Sequence, residues 1–141
     1  MRLFLDASVL TKSYVPEFGT ETVLARCAQA DEVMFSLIAL PEVASALNRI
    51  RREGRLSQAA YEESIKRLRD EAQYATVVDL TQSIVDEAIR CLEQWRLRAA
   101  DAVHVATALG CPHDLFLSAD HRQCEAARAA GLNVEEIPPP V

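Results

Sequence analysis

The sequence predicts a three-layer α/β/α domain built on a five-stranded, mainly parallel sheet. Five short apolar segments have the length of buried strands, and amphipathic helical patterns separate them along the chain. Strands that alternate with helices are joined by crossover connections, which give a parallel sheet with helices on both faces. Two helical patterns fall between the second and third strands, and they predict an inserted helical hairpin.

The predicted strands are short runs of mostly aliphatic and aromatic residues. They are Arg2–Leu5, Val33–Ser36, Ala75–Val78, Leu115–Ser118 and Val134–Ile137. In an open parallel sheet, ligands bind in the crevice outside the carboxyl ends of the strands. The residues that follow each strand are therefore the first candidates for a functional site.

Four stretches carry apolar residues at the three- and four-residue spacing of an amphipathic helix. Their apolar faces consist of Val23, Leu24, Cys27 and Ala28; of Leu40, Val43, Ala44, Leu47 and Ile50; of Tyr61, Ile65, Leu68 and Ala72; and of Ile84, Val85, Ala88, Leu92 and Trp95. An alanine-rich stretch, DAVHVATAL, predicts a further helix that begins at Asp101. Ser57 and Thr81 are predicted N-caps, and Gly54 and Gly131 are predicted helix ends.

The length and composition fit one domain. The chain has 141 residues, half of them apolar and about a quarter charged, which is enough to bury a core. We assign 1–137 to a single domain and the proline-rich end, 138–141, to a C-terminal tail. No run of about 18 apolar residues is present, and the N-terminus lacks the pattern of a signal peptide. We therefore expect a cytoplasmic protein with reduced cysteines, whose spacing matches no zinc motif.

Four carboxylates from separate segments are predicted to meet at one edge of the sheet. Asp6 and Asp120 each follow a predicted strand, and parallel strands end at the same edge. Glu42 lies in the first turns of the helix that leaves the second strand. Asp101 begins a helix that runs into the fourth strand, so this helix starts at the same edge. The directions of the strands and helices therefore bring all four acids to one crevice.

Each of these acids also has an ordinary structural interpretation. Asp120 is a suitable N-cap, and Gln123 three residues later completes a pattern similar to a capping box. Asp101 suits the first turn of a helix, Glu42 suits a solvated helix face, and Asp6 suits a turn cap. The shared position favours function, because clustered like charges repel unless a cation binds among them. Oxygen ligands without a His or Cys set favour Mg²⁺ or Mn²⁺ over zinc, and one or two ions fit such a site.

Three further polar residues lie close to the acids in sequence. Ser8 follows Asp6 by two residues, and Ser118 ends the fourth predicted strand. Each hydroxyl is a candidate to orient a carboxylate or a water molecule in the site, and each is equally suited to a turn or cap bond. His104 lies in the alanine-rich helix, where a structural histidine is favoured over a general base.

Four segments, taken in order, resemble the PIN-domain family, in particular the VapC-type toxin ribonucleases of bacterial toxin–antitoxin pairs. The segments are LFLDASVLTKSYVPE, PEVASALNRIRREGRLS, LRAADAVHVATAL and FLSADHRQCEAARAAGL, and they cover nearly the whole chain. The Asp–x–Ser motif alone is a weak signal, whereas the third segment is fairly specific and the ordered set of four is a strong one. The resemblance implies a PIN-like α/β/α fold.

The resemblance also implies a function and a site. It implies an endoribonuclease toxin that uses Mg²⁺ or Mn²⁺, forms homodimers and is inhibited by a small antitoxin whose tail enters the active cleft. The family's acidic quartet of catalytic residues and metal ligands falls on Asp6, Glu42, Asp101 and Asp120. This chain departs from the common family pattern at Ala7 and Ser118, each of which replaces a threonine, and at Pro41, which precedes the second acid.

Basic residues near the acids are candidates for contact with RNA. The net charge of −6, taken alone, argues against nucleic acid as a partner, although basic residues still concentrate locally. Arg98 is the first candidate for a phosphate contact, followed by Arg49 and Lys12, while Arg96 and Arg122 are also close in sequence to the acids. A solvated helix surface is the other interpretation of these residues. Stacking aromatics are scarce, so recognition would depend on the shape and single-stranded character of the RNA.

Other classes of function remain open from the sequence. The chain could be a catalytically silent PIN-like domain that only binds a partner. A phosphatase of the haloacid-dehalogenase type also has an aspartate after its first strand, but it needs a second acid where Ser8 stands. A receiver domain would need an acidic pair after the first strand and an acceptor such as Asp79 after the third. No G-x-G-x-x-G follows the first strand, which argues against a dinucleotide site.

Overall fold

The computed structural model describes residues 1–140, and within them the chain forms a five-stranded sheet and seven helices. The strands are β1 (Arg2–Leu5), β2 (Glu32–Ser36), β3 (Thr76–Val78), β4 (Leu115–Ser118) and β5 (Val134–Glu136). The helices are α1 (Ala7–Lys12), α2 (Thr20–Gln29), α3 (Ala39–Arg52), α4 (Gln58–Ala72), α5 (Gln82–Gln94), α6 (Ala99–Leu109) and α7 (His121–Ala129).

The sheet has the order β3-β2-β1-β4-β5, and every neighbouring pair of strands is parallel. β1 lies at the centre, where Leu3 is paired with Val33 of β2 and with Leu115 of β4. The predicted five-stranded sheet is confirmed, and it is parallel throughout. The predicted bounds of β1 and β4 are also confirmed, whereas β2, β3 and β5 each differ by one residue at one end, where strands pass into loops.

Alternate residues of the central strands point to opposite faces of the sheet and build two separate cores. Leu3 and Leu5 belong to an apolar cluster that includes residues of α1, α2, α3 and α4. Phe4 belongs to a second cluster, which includes residues of α5, α6 and α7. The rings of Phe4 and Phe116 stack in this second core with their centroids 5.6 Å apart. Helices therefore cover both faces of the sheet, as predicted.

A short helix that the sequence analysis did not predict, α1, begins directly after β1. Its six residues make less than two turns, which is too short for an apolar period to be recognised. Asp6 caps this helix, because its carboxylate accepts a hydrogen bond from the backbone amide of Val9. Val9 and Leu10 are buried in the first core, and this packing stabilises a helix that is too short to be stable alone.

The predicted helical hairpin and helix ends are confirmed. α3 and α4 fall between β2 and β3 and contact each other. Ser57 and Thr81 accept hydrogen bonds from backbone amides in the first turns of α4 and α5. Gly54 and Gly131 come just after the C-caps of α3 and α7 and have positive φ, the conformation that ends many helices.

The predicted tail adds no regular structure within the described part of the chain. Residues 138–140 are exposed and form neither helix nor strand, and Val141 lies outside the described residues. No helix within residues 1–140 is long and apolar enough to cross a lipid bilayer. The division into a domain of 1–137 and a tail of 138–141 stays a prediction.

Two glycines allow a matched test of packing at the start of α2. Gly19 has a φ of +91°, and a Cβ atom there would clash with Cγ2 of Ile137, whereas Gly54 has a φ of +78° and an added Cβ would contact nothing. We expect Gly54→Ala to lower the free energy of unfolding by about 1–2 kcal/mol through backbone strain. Gly19→Ala should lower it by roughly 1–3 kcal/mol more, because Ile137 must move. Urea denaturation measures both values, and equal losses would contradict the predicted clash.

Candidate active site

The four predicted carboxylates line a single cavity of about 420 Å³. Asp6 follows β1, and Asp120 follows β4 as the N-cap of α7. Glu42 and Asp101 lie in the first turns of α3 and α6. Because β1 and β4 are parallel neighbours, this carboxylate cavity lies at the carboxyl ends of the central strands. The four residues belong to separate segments, so only the complete fold brings them together.

Asp6 is the buried base of the carboxylate cavity, with a relative exposure of 1%. Its Oδ1 accepts hydrogen bonds from the Ser8 hydroxyl (2.6 Å) and from the Val9 amide (3.1 Å). Its Oδ2 accepts a hydrogen bond from the Ser118 hydroxyl (2.5 Å). Three donors therefore fix the orientation of this carboxylate and offset the loss of its hydration. Oδ2 accepts only this one hydrogen bond from residues 1–140, and Asp6 is part of the cavity wall.

The same two serines connect Asp6 to the turn that carries Asp120. The Ser8 hydroxyl accepts a hydrogen bond from the amide of Ala119, and the Ser118 hydroxyl accepts one from the amide of Asp120, both at 3.0 Å. Both hydroxyls thus donate to the carboxylate of Asp6, and both accept from backbone amides in the turn that ends at Asp120. The positions of the first and last acids of the quartet are therefore coupled through two side chains.

Gln123 takes part in the site, which the sequence analysis did not predict. Asp120 caps α7 through the Gln123 amide (3.1 Å), as predicted. The reciprocal half of the predicted capping box is wrong, because the Gln123 side chain donates instead to Oδ1 of Asp101 (3.2 Å). Gln123 is only 2% exposed, and its Oε1 has no hydrogen-bond partner within residues 1–140. A glutamine on the buried face of a short helix was the available signal, since buried amides need partners.

His104 is a second buried polar group beside the acids. Its Nε2 lies 2.5 Å from Oε1 of Glu42, and the residue is 1% exposed. Its Nδ1 has no partner in the described part of the chain, so the expected structural histidine is only half satisfied. The contact joins α6 to α3 and turns the Glu42 carboxylate towards the cavity that both residues line.

Burial and the clustering of acids raise the pKa values of two carboxyl groups in the cavity. Burial raises the pKa of Asp6, and the His104 ring together with hydrogen bonds from Ser118 and Ser8 lowers it in part. Burial also raises the pKa of Asp101, and the negative charges of Asp120, Asp6 and Glu42 raise it further. The protein alone therefore leaves negative charge in this cavity poorly compensated, which is the condition that a bound cation relieves.

Comparison with known protein families identifies the fold. A family model described as PIN domain matches residues 3–129. The chain belongs to the PIN domain family. It is similar to two curated proteins of Mycobacterium tuberculosis, ribonuclease VapC45 of strain CDC 1551 / Oshkosh and ribonuclease VapC49 of strain H37Rv. Each is 31% identical over 134 residues, which cover 94% of this chain and 93% of the relative.

Several solved structures share the fold of this chain. One is VapC20 of Mycobacterium tuberculosis, described as a sarcin–ricin loop cleaving toxin. It superposes on this chain with a TM-score of 0.71 at 19% identity, and the match covers 92% of this chain and 95% of VapC20. FitAcB of Neisseria gonorrhoeae gives a TM-score of 0.71 at 17% identity, with 94% and 95% covered. VapBC2 of Rickettsia felis, bound to a promoter DNA fragment, gives 0.67 at 13% identity, with 96% and 98% covered. At these identities, the similarity shows the fold alone.

The carboxylate cavity of this PIN domain has the chemistry of a site for a hard divalent cation. Oδ2 of Asp101, Oδ2 of Asp120 and Oε2 of Glu42 accept no hydrogen bond from residues 1–140. Oxygen atoms of this kind are the ligands that Mg²⁺ and Mn²⁺ prefer. Within the same residues, no three His, Cys, Asp or Glu side chains are already arranged around one point. The residues fit such an ion by the chemistry of their oxygen donors.

Two of the three basic residues that were predicted to contact RNA line the carboxylate cavity. Arg49 of α3 and Arg98, the N-cap of α6, are both part of its wall. Lys12 is not, because its ammonium group binds Oε1 of Glu17 (3.2 Å) and the carbonyl oxygen of Phe18 (2.8 Å). The geometry therefore favours the two arginines over Lys12 as contacts for an anionic ligand.

A larger cavity of about 540 Å³ lies between α2 and α4. It is lined mainly by apolar residues and contains none of the four carboxylates. Tyr14 at its wall donates a hydrogen bond to Glu71 (2.6 Å) and lies under the guanidinium of Arg67, so these polar groups satisfy one another. We assign the candidate active site to the smaller cavity on the basis of its chemistry.

The burial of Asp101 and the acids crowded around it predict that its carboxylate destabilises the metal-free protein at neutral pH. In the fold, the pKa of Asp101 is raised above its ordinary value of 3.8. The stability that the protonated group contributes is therefore fully present below the ordinary value and is lost as the pH rises through the pKa of the folded state. Asp101→Asn removes the charge and keeps an oxygen for Gln123. We therefore expect this variant to be more stable than the wild type at neutral pH in EDTA, with the gain disappearing at acid pH.

A matched control has the opposite sign. Hydrogen bonds from the backbone and side chain of Arg2 lower the pKa of Asp114, so its ionised form stabilises the fold. Asp114→Asn should lose stability at neutral pH, and the loss should vanish at acid pH. Urea denaturation at several pH values measures both variants. A loss of stability in Asp101→Asn at neutral pH would show that its carboxylate is adequately compensated by the protein.

Proposed function

We propose that this PIN domain is an endoribonuclease that hydrolyses RNA phosphodiesters with Mg²⁺ or Mn²⁺. The observation that carries the proposal is the convergence of Asp6, Glu42, Asp101 and Asp120 on one cavity. The curated relatives, which are named ribonucleases, support RNA as the substrate class. The free carboxylate oxygens and the raised pKa of Asp101 support a divalent cation as the cofactor.

The protein's part in this chemistry is to hold and orient. A divalent ion in such a site supplies an activated water and offsets the negative charge of the phosphodiester. Asp6, fixed by Ser8 and Ser118, is the rigid ligand of the quartet, and Asp120 is placed by the same hydroxyls. Glu42 and Asp101 are held on one oxygen by His104 and Gln123, which leaves the other oxygen for the ion. The two serines, His104 and Gln123 are thus positioning residues.

Two arginines of the cavity provide positive charge, which the phosphates of an RNA strand require. Arg98 and Arg49 contact the phosphates of the RNA and bring the strand to the carboxylates. A chain with a net charge of −6 would bind a polyanion here because a metal ion offsets the charge of the acids, while two arginines without an ion pair in residues 1–140 stand beside them. Ser8 stands two residues after Asp6, where a haloacid-dehalogenase-type phosphatase needs an acid, and Asp79, the acceptor that a receiver domain would use, does not line this cavity, so neither alternative is favoured.

We further propose that the chain is the toxin of a toxin–antitoxin pair. Structures with the same fold include a toxin–antitoxin complex from Klebsiella pneumoniae and VapBC2 of Rickettsia felis, which supports a small antitoxin as partner. An arginine from the tail of such a partner would pair bidentately with the free carboxylate oxygens and exclude RNA. By the same family argument, the active form is a homodimer.

The first experiment is RNA cleavage by the purified chain in Mg²⁺, Mn²⁺ or EDTA. We expect cleavage only with the metal ion, and Asp101→Ala should lower the rate by at least about 100-fold, since even outer-sphere partners of a metal cost roughly 10–100-fold. Asp70→Ala, a change of an exposed aspartate on α4, is the control and should cleave as the wild type does. Cleavage that persists in EDTA or in Asp101→Ala would reject the assigned site. A chain that cleaves no RNA would instead be a silent partner-binding domain.

The serines of the site give a second test. Removing the hydroxyl of Ser8 or Ser118 takes away a donor that fixes Asp6, so each alanine variant should need about 10–100-fold more metal ion for half-maximal activity. Ser45 lines the same cavity and its side chain makes no hydrogen bond in residues 1–140, so Ser45→Ala is a matched control. Metal titrations of the cleavage rate measure the effect. Equal behaviour of the three variants would mean that the hydroxyls do not position the ligand.

A further inference from the structure

A further cavity of about 700 Å³ opens beside the carboxylate cavity, and its lining includes three arginines and a tryptophan. Arg98, Asp101 and Asp120 line both cavities, so the two are continuous. Beyond these shared residues, the further cavity is formed by the loop between α5 and α6 and by the start of α7. We call it the arginine groove, after Arg96, Arg98 and Arg122, which line it together with Trp95.

The arginine side chains of the groove form no hydrogen bond or ion pair with the described residues, although Asp101 and Asp120 line the same groove. Acidic residues outnumber basic ones by 21 to 15, and most arginines have partners, such as the Arg26 pair with Glu135. The arginine side chains without a hydrogen bond or ion pair in residues 1–140 are Arg49, Arg52, Arg69, Arg96, Arg98 and Arg122. Four of these six line the two cavities. Guanidinium groups left unpaired beside an acidic cluster are available to bind phosphates.

Trp95 gives the groove an aromatic surface. It is the only tryptophan of the chain, and it ends α5 with an extended backbone. One side of the residue packs against the second core, which holds it in place, while it remains partly exposed in the groove. A nucleic-acid base stacks well on an indole ring that is held in this way. An acidic protein segment would use the arginines but would gain nothing comparable from the ring.

We propose that the arginine groove binds the RNA strand on one side of the cleaved phosphodiester, with a base stacked on Trp95 and phosphates paired with Arg96 and Arg122. The inference rests on the proposed function and adds the path of the substrate. Arg49 lines only the carboxylate cavity and Arg98 lines both, so the strand runs from Arg49 past Arg98 into the groove. The loop between α5 and α6 thereby selects single-stranded RNA, whose bases are free to stack.

The single tryptophan makes stacking directly measurable. The wild-type chain is titrated with a short single-stranded oligoribonucleotide in Ca²⁺, which neutralises the carboxylates, while a gel checks that the RNA stays intact. We expect the RNA to quench the fluorescence of Trp95 with the same midpoint that fluorescence anisotropy gives for binding. An oligomer of equal length with abasic sugars should bind more weakly and leave the fluorescence unchanged. Poly-glutamate serves as a polyanion without bases.

Variants separate the roles of charge and ring. Arg96→Gln and Arg122→Gln should each weaken binding and reduce the slope of log K against log salt concentration by about 0.7, the value for one phosphate contact of a single strand. Arg52→Gln and Arg69→Gln, which remove unpaired arginines outside both cavities, should change neither quantity. Trp95→Leu should weaken binding by about tenfold, and Trp95→Phe should restore part of the loss.

The outcomes separate the proposed RNA-binding groove from the proposed nuclease activity. RNA binding without quenching, no binding at all, or equal effects of the groove and control arginines would overturn the inference. Binding of poly-glutamate with the same dependence on Arg96 and Arg122 would also overturn it in favour of an acidic partner. Quenching and arginine dependence in a chain that does not cleave RNA would leave the groove in place and reject the nuclease. Metal-dependent cleavage by a chain with an unresponsive Trp95 would do the reverse.

Discussion

The site depends on one buried carboxylate and its hydrogen bonds. Asp6 directly follows the central strand of the sheet, where it loses its hydration, and it is stable there because Ser8, Val9 and Ser118 donate hydrogen bonds to it. These bonds join β1, α1 and β4 at a single point, and through Ser118 they reach the start of α7. The sheet therefore ends in a rigid polar junction. The acids of the cavity are placed relative to this junction.

The sequence predicted the features that follow from the spacing of apolar residues and from the directions of the strands and helices. Apolar runs identified all five strands, and helical spacing identified α2, α3, α4 and α5, because each of these helices repeats its apolar pattern. The alanine-rich stretch identified α6, which begins at Ala99 rather than at Asp101, and α7 was anticipated only by its cap at Asp120 and its end at Gly131. The convergence of Asp6, Glu42, Asp101 and Asp120 also followed, since residues at the carboxyl ends of parallel strands share one edge. Such predictions need only the identity and direction of the elements, and errors of one residue at a strand end do not affect them.

The remaining features depend on side-chain contacts between distant segments, which no local pattern encodes. α1 was missed because six residues show no period, and its stability comes from packing and from the cap at Asp6. Gln123 was interpreted as half of a capping box, in which its side chain would bind the backbone amide of Asp120. That amide already donates to the Ser118 hydroxyl, and the glutamine side chain binds Asp101 instead. Lys12 is close to Asp6 in sequence, yet its ammonium group binds the carboxylate of Glu17, which follows α1 in the chain.

The bond from Ser118 to Asp6 joins residues 112 positions apart in the chain, and this separation has a consequence for synthesis in the cell. Ribosomes add about 5–20 residues per second, so roughly 6–22 seconds pass between the synthesis of the two residues. During this interval the nascent chain contains the first acid without its junction and without the last acid of the quartet. A protein that cleaves RNA would thus be harmless to the ribosome and the messenger RNA that produce it until Ser118 and Asp120 have been made.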